Sequence, residues 1–147
     1  MINNYGSHDL SNINEKIFSN IKNKNIITNG DYCKLFEKKI SKVVNSKYSV
    51  VCNNGTSAIM MAILALNLKD LVVIIPNINF VASANIISLL KGKIILCDVN
   101  KETGMVDFNS FNNVIFECKK KNIKPNLFIP IHYAGDVIDL REIEKVC

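Results

Sequence analysis

Apolar runs of strand length alternate with apolar patterns of helix length, and this predicts an α/β fold with a mainly parallel sheet held between helices. Two observations carry the prediction. The runs at residues 71–75 and 93–97 are almost uniformly apolar, as strands covered on both faces must be. The segments between them show helical spacing and end in polar turns, the length of connection that a parallel crossover needs.

Taken in order, Leu10, Ile13, Ile17 and Ile21 recur at helical spacing over residues 9–24. A Thr28-Asn29-Gly30-Asp31 turn follows, with Asp31 a candidate cap for a second helix reaching residue 44. Leu35, Phe36, Ile40, Val43 and Val44 share one face of it. Residues 48–52 read as a short strand. Residues 57–68 read as a helix apolar nearly all round, expected to be buried. Then come a strand at 71–75 closed by Pro76, a helix at 81–90, and a strand at 93–97 ending in Asp98-Val99. An amphipathic, lysine-tailed helix is expected over 108–121, a strand over 126–131, and another helix from 139.

At 147 residues and 48% apolar composition the chain fits a globular class with a sizeable core. It lacks the roughly 18 unbroken apolar residues of a membrane span, and its start lacks the basic and apolar segments of a secretory signal. The expectation is a cytoplasmic protein with no membrane partner. Five widely spaced cysteines without a C-x-x-C pair argue against a disulfide framework and a zinc site. Cys52 and Cys97 end apolar runs and read as small core residues. The net charge of +5 rests on lysine, since Arg141 is the sole arginine, and nothing resembles a nucleic-acid surface with its clustered arginines and interleaved aromatics. The abundance of Asn, Ile and Lys reads as a compositional bias.

In parallel sheets ligands sit beyond the carboxyl ends of strands. The junction Asn53-Asn54-Gly55-Thr56-Ser57-Ala58 offers free N–H groups, two hydroxyls and a helix N-terminus, which suits a phosphate; an ordinary helix cap explains it as well. It is neither a Walker loop nor a G-x-G-x-x-G turn. Phe80, leading into a helix of small residues, could lie against a planar ligand or cap the core. The Asp98 to Gly104 loop reads as a structural turn. His132, at a strand end before Gly135 and Asp139, could touch a ligand or be a buried structural histidine. No metal centre or Ser–His–Asp triad is supported.

The order of four segments resembles the DegT/StrS-type sugar aminotransferases: Gly55-Thr56-Ser57-Ala58, Pro76-x-x-x-Phe80-Val81-Ala82-x-Ala84-Asn85, Cys97-Asp98-Val99-x-x-x-Thr103-Gly104, and Pro130-x-His132-x-Ala134-Gly135 before Asp139-Leu140. Tyr5-Gly6-x-His8-x-Leu10 and Ile27-Thr28-Asn29-Gly30 are similar to the family's opening segment, closest to enzymes aminating UDP-4-keto-6-deoxy-N-acetylhexosamines. The resemblance implies the aspartate-aminotransferase (type I) fold and pyridoxal 5'-phosphate as cofactor. It also implies a nucleotide-linked keto-sugar substrate for surface glycans, glutamate as amino donor, and a homodimer. By position, Gly55, Thr56 and Ser57 would hold the cofactor phosphate, Phe80 would stack on its ring, and His132 would lie near the ring's far edge.

The resemblance further implies an aspartate facing the pyridinium nitrogen and a Schiff-base lysine, both expected beyond Cys147. None of the 17 lysines present stands in the family's lysine motif. The last residues read as an unfinished helix, so the expectation is a fragment unable to complete transamination: an amino-terminal helical segment at 1–30 and an incomplete cofactor-binding large domain at 31–147, without the small domain. A fragment of a dehydratase of the same family, or a non-catalytic interaction remnant, stays open.

Overall fold

Val73, Ile74 and Ile75 form the middle of the core, and alternation along one strand sends them to opposite faces of a sheet. The computed structural model that shows this describes Glu15, Ser19 and residues 30–147. The helix expected over 9–24 and the segment 1–30 lie outside the described residues, apart from those few positions. The chain divides into two compact units, residues 1–51 and 52–147.

In the first unit helix α1 spans Asp31–Val43. Gly30, not Asp31, occupies its cap position, and Asp31 lies in the first turn where a carboxylate suits the helix dipole. The strand expected over 48–52 is not formed. A strand needs a ladder partner, whereas here the Val51 N–H donates to the Glu37 carboxylate at 3.0 Å, and Tyr48 and Val50 are exposed.

The second unit contains helix α2 (Gly55–Ala65), strand β1 (Val72–Pro76), helix α3 (Ala82–Leu89), strand β2 (Lys93–Cys97), helix α4 (Phe108–Lys120), strand β3 (Leu127–Phe128) and the short helix α5 (Arg141–Glu144). The strands form one parallel sheet in the order β2-β1-β3, with Val72 opposite Lys93 and Val73 opposite Leu127. β3 is shorter than expected. One further bond, Ile129 N–H to Ile74 C=O at 3.0 Å, extends it, and then Pro130 has no N–H to offer the ladder.

Each sheet face has its own core. Ile74 and Cys97 pack with Phe111 of α4, Ile143 of α5 and the Met105-Val106 loop. Phe111 and Phe128 meet with ring centroids 4.8 Å apart. Val73 and Ile75 pack on the other side with Ile63 of α2 and Ile86 and Ile87 of α3. Burying a side chain of this size contributes about 1.5–3 kcal/mol, so β1 alone stabilises both layers. Helix α2 departs from expectation: Ile63 is its one buried residue, and Met61 and Leu64 are exposed, because packing with α3 and β1 covers a single side of it. Cys52 is exposed as well, while Cys97 is fully buried.

The starts of the strands are stitched together. The Asn126 side chain accepts from Val72 N–H at 2.9 Å and donates to Lys69 C=O at 3.0 Å, and Lys93 N–H reaches Leu71 C=O at 2.8 Å. Gly92 leaves room for this turn, since a Cβ there would meet Ile87 and Leu71 at 2.9 Å.

Candidate functional site

Helices that cover a parallel sheet run against its strands, so the starts of α2, α3 and α4 share one edge with the ends of β1, β2 and β3. The residues singled out from the sequence in this unit fall on that edge. Gly55, Thr56 and Ser57 open α2, Phe80 follows β1, and His132 follows β3.

At the start of α2 the Asn54 carboxamide oxygen accepts from Ser57 N–H at 2.8 Å. Asn54 thus satisfies one of the orphan donors of the first turn. The N–H groups of Gly55 and Thr56 and the hydroxyls of Thr56 and Ser57 have no partner among the described residues. A Cβ placed on Gly55 would meet nothing within 4 Å, so the backbone is open to close approach. Residues 53–58 contain no cation. The turn can therefore hold an anion through N–H and O–H donors and the positive end of α2.

Phe80 is 69% exposed, which excludes the core-capping reading. Its turn is fixed from behind: Asn79 donates to the buried Ser83 hydroxyl, which in turn contacts the Phe80 carbonyl at 3.5 Å. The exposed ring can thereby meet a planar ligand. Asn77 ties the ends of β1 and β2 together. Its side chain donates to the Asp98 carboxylate at 2.6 Å and its N–H to Cys97 C=O at 2.9 Å.

His132 is exposed, so the buried structural reading does not hold. Its Nδ1 accepts from Ile138 N–H at 3.2 Å, which leaves the ring proton on Nε2. Beyond it the Arg141 guanidinium grips the Asp139 carboxylate and lowers its pKa to about 2. Burial, with Asp98 and Asp107 adding like charge, pushes the Cys97 thiol up to about 11, so this cysteine is an inert core residue.

The Asp98 to Gly104 loop is a structural turn, as expected. The Asn100 side-chain oxygen accepts from Glu102 N–H at 2.9 Å, and Gly104 takes a φ of +69°. A Cβ on Gly104 would stand 2.9 Å from the Tyr133 ring. Through that contact the β2 loop supports the segment carrying His132. Tyr133, Asn77 and Asn79 were not singled out by themselves; the signal available was their position, polar or aromatic residues directly after strands. A cavity of about 620 Å³ lies elsewhere, between β2 and α4.

The model of the DegT/DnrJ/EryC1/StrS aminotransferase family matches residues 9–147. The chain belongs to this family. Among curated members it is 30% identical over 120 residues to the 3-oxo-glucose-6-phosphate:glutamate aminotransferase of Bacillus subtilis, covering 81% of this chain and 26% of that protein. It is 28% identical over 112 residues to the GDP-perosamine synthase of Caulobacter vibrioides, covering 76% of this chain and 29% of that protein. The chain thus spans less than a third of the length of these relatives. Among solved structures, the family aminotransferase from Brucella abortus superimposes with a TM-score of 0.82 at 20% identity, over 90% of this chain and 36% of that one. NtdA from Bacillus subtilis with bound cofactor PMP gives 0.74 at 27% identity, over 90% and 30%. The fold of this family member is accordingly α/β, part of the large domain of the aspartate-aminotransferase (type I) fold.

Proposed function

We propose that residues 31–147 supply the phosphate-gripping half of a pyridoxal 5'-phosphate site in an aminotransferase acting on a keto-sugar. The observation that carries this reading is the start of α2, where two N–H groups and two hydroxyls without partners surround an open glycine. These residues fit the cofactor: Gly55, Thr56 and Ser57 would hold its phosphate, and Phe80 would lie on its ring. When bound, that cofactor supplies an electron sink for moving an amino group.

Each residue has a defined part. Thr56 and Ser57 donate hydroxyls to the phosphate, while Asn54 keeps the first turn of α2 in place. The α2 dipole offsets the phosphate charge without a neighbouring cation. Phe80 excludes water from one ring face and orients the plane. His132, with its proton on Nε2, would lie at the ring's far edge as a hydrogen-bond donor.

The name of the Bacillus subtilis relative supports an anionic keto-sugar with glutamate as donor, and that of the Caulobacter vibrioides relative supports a nucleotide-linked sugar. A nucleotide-linked sugar used for surface glycans, a homodimer and a cytoplasmic site complete the proposal. The covalent lysine and the aspartate facing the ring nitrogen belong to neighbouring parts of the intact enzyme. Equilibrium dialysis of this chain against pyridoxal 5'-phosphate and against pyridoxal tests the reading, followed by borohydride reduction and peptide mapping. Saturable binding that requires the phosphate, with no single lysine modified stoichiometrically, is expected. Equal binding of the two compounds would overturn the phosphate role. An adduct confined to one lysine would overturn the placing of the anchor outside these residues.

A further inference from the structure

The two edges of the sheet in residues 52–147 differ in charge. The edge opposite the phosphate turn, where strands start and helices end, carries Lys69, Lys91, Lys93, the run Lys119-Lys120-Lys121 and Lys124. All are exposed, and Asp70 and Glu117 stand beside them in the sequence. The end of α5, which reaches Pro125 and Asn126, adds Lys145 with Glu142 and Glu144, and elsewhere in the unit Lys101 and Arg141 stand against Asp98, Glu102, Asp107, Asp136 and Asp139. The backbone carrying Lys69 and Lys93 is drawn together here, since the Asn126 side chain bonds the Lys69 and Asp70 carbonyls and Lys93 N–H bonds the Leu71 carbonyl.

Cations at helix ends complement the helix dipole, which accounts for Lys119 and Lys120. It does not account for Lys69, Lys93 and Lys124, which stand in connections or at a strand start. One ion pair on this face is Lys120–Glu117 at 2.9 Å, itself exposed. Apolar side chains are interspersed. Leu66 follows α2, Leu89 ends α3 at 68% exposed, Ile123 lies before β3, and Phe116 has the Lys120 ammonium 4.3 Å from its ring centroid.

We propose that this edge is a docking face for an anionic lipid surface. Lysine ammonium groups match a negative headgroup layer, and the leucines, Ile123 and Phe116 match the apolar boundary beneath it. Nucleic acid is the poorer fit, since Arg141, the sole arginine, is not on this edge and no row of aromatics offers stacking. The expectation of no membrane partner rested on the lack of a spanning segment, which does not bear on adsorption. Docking this way leaves the edge with Thr56, Phe80 and His132 facing water.

Flotation of the chain with vesicles of phosphatidylcholine alone, or mixed with phosphatidylglycerol, tests the proposal. Binding is expected only to the anionic vesicles, falling as salt rises. The triple substitution Lys119→Glu, Lys120→Glu, Lys121→Glu should weaken it by roughly tenfold or more. Leu89→Ser should weaken it at unchanged salt dependence, and Lys101→Glu should leave it unaltered. Far-UV circular dichroism checks that each variant is folded. Equal binding to neutral vesicles, no binding to anionic ones, or equal loss with Lys101→Glu would overturn it. So would release of the vesicles by a stoichiometric amount of single-stranded RNA.

Discussion

Asp107 shows how one side chain sets both a boundary and a pH response. It caps α4 by accepting from Ser110 N–H at 2.8 Å, and this bond holds its carboxyl below the usual range. The charged form is therefore favoured by folding. Its contribution is complete above the ordinary aspartate pKa of about 3.9 and is lost as the pH falls through the lower folded value. Asp107→Ala should cost about 1 kcal/mol at pH 7, and the cost should shrink at lower pH. Asp107→Asn keeps the acceptor and should flatten that dependence; urea unfolding at pH 7 and below pH 3.9 checks both. At this scale the sequence places Thr56 and Ser57 at the start of an apolar helix, which is where the structure has them. It was ambiguous about Phe80 and His132, since exposure depends on neighbours far along the chain, and it misassigned Cys52 to the core. An apolar run beside a cysteine reads the same whether or not it finds a ladder partner.

Among the elements, β1, α3, β2 and α4 were legible to within a residue or two, because each has its apolar period and its own turn. The failures have a common physical cause. Residues 48–52 have strand composition but no ladder partner among the described residues, and β3 is cut short by Pro130. Helix α2 is apolar nearly all round, yet packing with α3 and β1 buries only one side of it. The loop after β2 works as an element of support, with Gly104 at positive φ against the Tyr133 ring. Gly104→Ala adds both strain and a clash, and should cost about 1–3 kcal/mol in thermal or urea unfolding. An unchanged midpoint would show that the loop does not hold the His132 segment.

For the second unit as a whole, the parallel sheet places the described site residues on one edge and a lysine face on the other. The strand at the side of the sheet is unprotected. β2 pairs only with β1 among the described residues, and its Leu96 is 62% exposed. An apolar edge strand is a template for association. Leu96→Lys should therefore raise the concentration at which the chain stays monomeric, measured by light scattering, with the circular dichroism spectrum unchanged. No change in association would place the sticky surface elsewhere, with the outer side of α2 the next to test.

The central claim is that the Gly55-Thr56-Ser57 turn grips a phosphate, and backbone amide NMR reads it most directly. Titration of ¹⁵N-labelled chain with pyridoxal 5'-phosphate should move the Gly55 and Thr56 amides in a saturable way. Ser57→Ala should weaken the response by roughly tenfold, the loss of one hydrogen bond to a charged group. Shifts confined to the lysine edge, or none at Gly55 and Thr56 at saturating ligand, would contradict the account.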